Sequence, residues 1–431
     1  MRAFDTFDGS PRKLTALTIP AGLGGVSRMQ AALPMALDGS GPAIAPLPEG
    51  PPRLVASLLD AIKPDDSNYP LESNDIALVV STSGSTGAPR GVLLTQQALT
   101  ASATSFAHRF GTDARWVVSM PMHRIAGIMV LVRAHLFGNP FEVDPSTGGA
   151  RPFNAATFAA TTLKAKRLSD VDGRPLMVSL VPTQIARLLE AGSVGIEALQ
   201  SYAVVLSGAA ATPQPLLDKL RENGINVVIS YGMSETCGGC AFDGLPLDDV
   251  SISLGTQDDI EPGRISISGP VLASGYRLRP DLDALTFIDG RMMTHDVGKL
   301  DSSGLLHVLG RLDDIVIVGG VNVALSAVEA AIRHHPFIED VAVIDIADPL
   351  WGSLPMAYVV LRTQDVNTEL LSAQIKDAVS QRIGKAATPR TIHYVDQLPM
   401  LDSGKIDRLS LRLQAAKDIE QGRVRHPGNA E

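Results

Sequence analysis

The chain has 431 residues, 45% hydrophobic and 19% charged, enough to bury a large core and beyond the size at which one core usually divides into domains. Lysine plus arginine total 37 against 46 for aspartate plus glutamate, a formal charge of −9, so no global basic field is available for nucleic acid or an anionic membrane. An anionic ligand has to be captured by local design. No apolar run approaches the roughly 18 residues of a membrane span, and Met1-Arg2-Ala3-Phe4-Asp5 lacks the plan of a signal peptide, so the expected setting is cytoplasmic.

The first 80 or so residues start irregularly, with a Pro/Gly-rich stretch from Pro34 to Pro52 and an amphipathic helix expected from Leu54 to Ile62. From Ile76 to about Gly310, apolar runs such as Trp116-Val117-Val118, Leu176 to Val181 and Tyr202 to Leu206 alternate with helical segments such as Pro213 to Asn223. That alternation predicts an α/β fold of layered helices around a largely parallel sheet. Near Arg311 the texture changes, and a boundary is expected at Leu312 to Asp314, giving domains 1–311 and 312–431. The second has its own signals: strands at Val341 to Ile346 and Ala357 to Leu361, a helix from Leu370 to Arg382, and a charged tail beyond Ala416 expected to fray.

Chemistry concentrates at five places. Thr82-Ser83-Gly84-Ser85-Thr86-Gly87-Ala88-Pro89-Arg90-Gly91 crowds three glycines and four hydroxyls into a loop delivered by the apolar strand Ile76 to Val80. Glycines admit an anion close to backbone N–H groups, and Arg90 adds permanent charge, so a polyphosphate is the fitting guest. Alone, such a loop is as readily a surface turn; it is not a Walker loop, because Pro89 stands where that motif needs glycine. Tyr231-Gly232-Met233-Ser234-Glu235-Thr236 follows the strand Ile225 to Ile229, where open α/β sheets bind ligands; Tyr231 offers a flat face and Glu235 a carboxylate for magnesium. Asp296, after a strand-like segment, suits two vicinal ribose hydroxyls, and Arg311 is a second ribose or phosphate candidate; a turn aspartate and a surface cation are the plain alternatives. Ser403-Gly404-Lys405 puts a lysine on a turn near the C-terminus. The Cys237-x-x-Cys240 pair is half of a zinc site with no histidine at finger spacing, and reads instead as small polarizable residues in a pocket wall.

In this order and spacing the five segments resemble the adenylate-forming superfamily of acyl-CoA synthetases, luciferases and peptide-synthetase adenylation domains, over Ile76 to Arg408. Within it, Ser179 to Gln184, Tyr231 to Thr236 and Asp243-Gly244-x-Pro246-Leu247 are most similar to the o-succinylbenzoate-CoA ligases of menaquinone biosynthesis. The resemblance implies a large N-terminal adenylating domain and a small, mobile α+β C-terminal domain. It implies ATP, Mg2+ and coenzyme A with a small-molecule carboxylic acid, and no nucleic-acid partner; oligomeric state is open, a homodimer included. It assigns the catalytic roles to Lys405 and to Glu235, the latter as metal ligand. Thr82, Ser83, Gly84, Ser85, Thr86, Gly87 and Arg90 would hold phosphates, Ser207-Gly208-Ala209-Ala210 and Tyr231 the adenine, Gly232, Met233 and Ser234 would also line the ATP or AMP site, and Asp296 and Arg311 would fix the ribose. Asp313 would be the hinge, and Gly319 and Gly320 would line a pantetheine tunnel.

Departures accompany the likeness. Arg90 replaces the usual lysine of the phosphate loop, the histidine of Pro121-Met122-His123-Arg124-Ile125-Ala126-Gly127 comes one position early, and fewer residues than usual precede the loop. A dicarboxylate would need a cation for its non-reacting group, with His123, Arg124 and Arg133 as candidates and Thr183 nearby in the acyl site. Other fatty or aryl acids, or nucleotide binding without catalysis, are the competing expectations.

Overall fold

The computed structural model describes residues 12–83, 89–255, 262–348, 350–363, 365–400 and 406–420. The chain divides into two compact units, Met1–Ser253 with Ser266–Met293, and Leu254–Ile265 with Thr294–Glu431.

In the first unit Leu14–Ile19 (β1), Leu23–Asp38 (α1), Ala43–Pro48 (β2) and Pro52–Ile62 (α2) precede the antiparallel pair Ile76–Ser83 (β3) and Pro89–Thr95 (β4). The stretch Pro34 to Pro52, irregular by composition, therefore holds a helix end and a strand. Pro34 is tolerated inside α1 because Val26, Met29, Leu33 and Leu37 form a buried stripe, and packing of such a face outweighs propensity. Pro46 and Pro48 lie past Ile44↔Leu78, where β2 pairs with β3, so their missing N–H groups break no bond on that side.

After Gln96–Phe110 (α3), capped by Thr95, comes the large sheet: Arg115–Val118 (β5), Ile125–Phe137 (α4), Phe141–Val143 (β6), Ala155–Asp172 (α5), Leu176–Leu180 (β7), Pro182–Glu190 (α6), Ser193–Gln200 (α7), Val204–Ser207 (β8), Gln214–Glu222 (α8) and Val227–Met233 (β9). Gly238–Phe242 (β10) and Leu245–Pro246 (β11) complete the order β11-β10-β9-β8-β7-β5-β6, with β6 through β9 parallel and the last two antiparallel. The parallel strands are mostly apolar because helices cover both faces; Val117, Val178, Leu180 and Val205 form one core with Phe158, Ile185, Leu188 and Leu220. Cys237 and Cys240 are not joined in a disulfide and have no exposed surface, so the pair is core rather than pocket wall.

Ser251–Leu254 (β12), Gly263–Ser268 (β13), Gly275–Tyr276 (β14), Pro280–Thr286 (α9), Phe287–Ile288 (β15) and Arg291–Leu300 (β16) follow. β14 pairs with β4 through Tyr276↔Val92. Beside it Arg277, 1% exposed, donates to Ile62 O at 2.9 Å, Pro70 O at 2.7 Å, Tyr69 O and Glu72 Oε2 at 2.8 Å, riveting two distant segments.

In the second unit β16 forms a hairpin with Leu306–Arg311 (β17), paired from Asp296↔Arg311 to Leu300↔Leu306, so Asp296 lies within a longer strand rather than at its end. An added Cβ on Gly310 would stand 2.5 Å from Ser326 Oγ, which ties β17 to the helix Leu325–Arg333 (α10). That packing is why the division between units falls within β16, ahead of Leu312 to Asp314. Ile315–Val318 (β18) and Val321–Ala324 (β19) form a hairpin, and Ile338–Asp348 (β20), Gly352–Leu361 (β21), Thr368–Arg382 (α11), Thr391–Val395 (β22) and Arg408–Glu420 (α12) close the fold. The buried faces of β20 and β21 pack against Val328, Ile332, Leu371, Ile375 and Leu411 of the helices. Helix α12 carries the charged tail past Ala416 to Glu420.

Arg277→Ala strips four acceptors of one buried donor, Glu72 keeping only its bond from Leu278 N, so it should cost about 3 kcal/mol. Urea unfolding measures this; a loss within experimental error would show the rivet to be dispensable.

Candidate active site

Because β5, β7, β8 and β9 run parallel, the segments after them emerge along one edge of the sheet. The segment after β5 carries His123 and Arg124, that after β7 carries Thr183, that after β8 runs through Gly208-Ala209-Ala210, and β9 ends in Tyr231-Gly232-Met233 before Ser234 and Glu235. Ser207, without exposed surface, shares a 2.8 Å hydrogen bond with the Thr212 hydroxyl, and Gly208 N donates to Leu180 O at 3.2 Å. Ala209 is left-handed at φ +63°, so the strand turns sharply after β8. Gly232 admits no side chain, since a Cβ there would lie 2.0 Å from Gly238 O in the tight β9–β10 return. Buried Thr236 locks that return, its Oγ1 accepting from Met233 N at 2.9 Å and donating to Gly238 O at 2.7 Å.

Glu235 has a partner that sequence reasoning missed. Tyr276 Oη donates to Glu235 Oε1 at 2.9 Å, and Ala273 N donates to Glu235 O at 2.8 Å. Burial, and then the charge of Glu235, push the Tyr276 phenol well up from its ordinary value, so it stays a hydrogen-bond donor. The Arg90 guanidinium stands 5.9 Å from the Tyr276 ring centroid. Arg90 is paired in register with Thr82, and Ser83 with Pro89, at the root of the β3–β4 hairpin. Gly84, Ser85, Thr86 and Gly87 lie outside the described residues. The sequence carried only a faint sign of Tyr276, a Gly-Tyr step in a two-residue strand.

The acyl-site candidates differ sharply. His123 borders a small cavity of about 20 Å³ with Pro20, Gly22, Glu49, Met122 and Thr147. Burial and then the Arg124 charge push its pKa down to about 4, so it is neutral near pH 7. Arg133, 6% exposed, places its guanidinium 3.9 Å from the Phe106 ring centroid and 5.8 Å from that of Trp116, and among the described residues its Nε has no hydrogen-bond partner. Burial lowers its pKa to about 9, which still leaves it cationic. Thr183 is exposed in the first turn of α6.

In the second unit, Asp296 and Arg311 are cross-strand neighbours, so register brings the two ribose candidates together, and Asp296 N is held by Thr294 Oγ1 at 3.0 Å. The backbone of Asp313 lies in the single turn Leu312–Asp314. Gly319 and Gly320 form the two-residue turn of the β18–β19 hairpin at φ +57° and +83°, as such turns require. The Trp351 ring closes over Gly319, 2.5 Å from where a Cβ would be. Lys405 lies outside the described residues, but the chain beside it is fixed: Met400 bridges Ile406, and Asp407 N donates to Pro399 O at 2.8 Å.

The unfolded chain takes up a proton at His123 near pH 6.5 while the folded one resists until about 4, so stability owed to His123 is present above 6.5 and is lost as pH falls through that window. His123→Gln should flatten the pH dependence of unfolding between those values; superimposable slopes in urea titrations of both proteins would show that burial does not depress the imidazole.

The AMP-binding enzyme family matches residues 41–277, and the AMP-binding enzyme C-terminal domain matches residues 327–405. A Mycobacterium tuberculosis protein named "Probable 2-succinylbenzoate--CoA ligase" is 38% identical over 417 residues, covering 95% of this chain and 100% of that one. The 2-succinylbenzoate--CoA ligase of Geobacillus sp. (strain WCH70) is 30% identical over 359 residues, 79% of this chain and 69% of its own. The solved o-succinylbenzoate CoA synthetase from Bacillus subtilis, in complex with the acyl-adenylate intermediate OSB-AMP, superposes with a TM-score of 0.71 at 25% identity, covering 93% of this chain and 88% of that one. Through matches to both of its domains and a relative aligned along its entire length, this chain belongs to the AMP-binding, adenylate-forming enzyme family.

Proposed function

We propose that this protein is an ATP-dependent, AMP-forming acid–CoA ligase that converts 2-succinylbenzoate to its CoA thioester in menaquinone biosynthesis. The observation that carries the reading is the convergence of Arg90, Tyr276 and Glu235 where β4, β14 and β9 meet the ligand edge of the parallel sheet. Among the described residues no helix is long and apolar enough to cross a membrane.

The reaction has two halves. A carboxylate oxygen attacks the α-phosphorus of ATP and pyrophosphate leaves; the CoA thiol then attacks the acyl carbon and AMP leaves. The first brings an anion to a polyanion, and a unit charge pair at about 4 Å is worth on the order of 4 kcal/mol at an effective dielectric of about 20, so placed cations decide the rate. In this reading Lys405 bridges the carboxylate and the α-phosphate, while Arg90 and the Thr82 to Gly87 loop hold the β- and γ-phosphates. Arg90 keeps the charge of the usual lysine and adds a planar fork. Ser207 to Ala210 and Tyr231 to Ser234 enclose the adenine, and Asp296 with Arg311 holds the ribose.

Glu235 fits a magnesium site: among the described residues its side-chain partner is Tyr276 at Oε1, so the carboxylate would remain able to hold a hard cation. When bound, that cation supplies charge neutralisation at the phosphates. The boundary at Leu312 to Asp314, the hinge at Asp313 and the pantetheine path beside Gly319 and Gly320 belong to the same proposal, and serve the second half. For the distal carboxylate, buried Arg133 has no carboxylate in ion-pair contact among the described residues and retains its charge, whereas His123 is neutral; Arg133 is the favoured anchor.

Lys405→Ala should abolish adenylate formation, read by ATP–pyrophosphate exchange, while sparing thioester formation from supplied acyl-adenylate; equal loss in both halves would sink the assignment. Tyr276→Phe should raise the Mg2+ requirement of exchange roughly tenfold, the usual effect of losing a partner of a metal ligand. An unchanged Mg2+ titration would exclude that support. Thioester formation should favour an aromatic keto-diacid over fatty and aryl monoacids, and Arg133→Met should raise KM for the diacid alone. Preferential turnover of fatty acids would overturn the substrate.

A further inference from the structure

The chain just past Lys405 is held by more than its own helix. Arg408, the first residue of α12, donates from Nη1 to Glu329 Oε1 at 2.5 Å and from Nη2 to Glu329 Oε2 at 3.1 Å, a two-pronged bond across 79 residues of sequence. Glu329, 7% exposed on α10, also accepts from Val343 N at 2.7 Å, and Arg408 Nη1 reaches Val343 O at 3.3 Å, so the pair is built into the start of the helix layer over β20. Burial works against the Arg408 charge, yet the bonds and charge of Glu329, with Asp314 and Asp340 adding to it, raise its pKa overall. Next to it Asp407 caps α12, its carboxylate accepting from Ser410 N at 3.0 Å and Ser410 Oγ at 2.7 Å, and its own N–H is bonded to Pro399 O.

These bonds fix the backbone from Ile406 to Ser410 in position and in rotation. Buried ion pairs add little net stability over apolar isosteres, so what such a pair supplies is geometry. A catalytic cation has to be held to about half an ångström, and the cost of a misplaced reacting group is steep. We propose that Glu329 and Arg408 are positioning residues for Lys405: their two-pronged bond anchors the chain that directly follows it, and adenylation depends on that anchor. Asp314, in the turn proposed as the hinge, contributes to the charge around the same guanidinium, so the anchor and the hinge share one electrostatic neighbourhood within this unit.

The inference rests on Lys405 being the adenylating cation, and the test separates the two. Arg408→Lys keeps the charge but loses the fork, and Glu329→Gln keeps an acceptor for Val343 N but loses the charge. Each variant, with Lys405→Ala alongside, is assayed for ATP–pyrophosphate exchange and, separately, for thioester formation from supplied acyl-adenylate and CoA. Both anchor variants should lose about tenfold or more in exchange kcat with ATP KM unchanged, and should retain thioester formation, which doubles as proof that the unit is folded. If Lys405→Ala loses exchange while the anchor variants keep it, the positioning role falls and the lysine assignment stands. If Lys405→Ala keeps exchange, the lysine assignment itself falls. Loss of both half-reactions together in either anchor variant would mark the pair as structural and overturn the proposal.

Discussion

The parallel ladder from β5 through β9 is the constraint on which the remainder of the first unit depends. A parallel strand can follow another only after a crossover, and these crossovers are the helices that bury both faces of the sheet. The same geometry sends every post-strand segment out at one edge. His123, Thr183, Ser207 to Ala210 and Tyr231 to Glu235, scattered over more than a hundred residues, therefore arrive together without any local signal requiring it. Tight returns then sharpen the edge: Ala209 in a left-handed conformation and Gly232 against the Gly238 carbonyl leave the backbone little freedom there.

Against a net charge of −9, anion chemistry in this chain is organised one cation at a time. Arg90 rests near the Tyr276 ring, Arg133 lies over Phe106, and Arg408 is clasped by Glu329. Arginine suits each place because its planar, weakly hydrated guanidinium can be packed on aromatic rings or forked onto a carboxylate at a lower desolvation cost than an ammonium. Arg12 and Arg277 show the same residue type used purely as a rivet, each donating to several backbone carbonyls. Telling a rivet from a binding group takes the partner set, which composition does not disclose.

The sequence made the central strands legible, since Trp116 to Val118, Leu176 to Leu180 and Val204 to Ser207 are apolar but for Ser179 and Ser207, as suits buried parallel strands. Motif residues near strand ends, such as Glu235, were legible for the same reason. What escaped were pairings fixed only by tertiary contact: Tyr276 with Glu235 across 41 residues, Arg408 with Glu329 across 79, and Arg277 with Tyr69 across 208. The proline-rich segment misled because composition ignores neighbours; a buried stripe made α1 a helix despite Pro34, and pairing with β1 made β2 a strand. Asp296 was misjudged as terminal because its hairpin partner, β17, lies beyond the window in which periodicity is read.

Cys237 and Cys240, the two cysteines of the chain, are both without exposed surface, and burial raises the Cys237 thiol well above its ordinary pKa. An acyl-adenylate is a strong electrophile held beside a thiol nucleophile, and any accessible thiolate of the protein would compete with coenzyme A for it. Among the described residues this chain offers no such rival. The packing that demotes the Cys-x-x-Cys pair from a metal or redox motif also withdraws the protein's own thiols from competition for the acyl group, so coenzyme A meets no rival of its own kind.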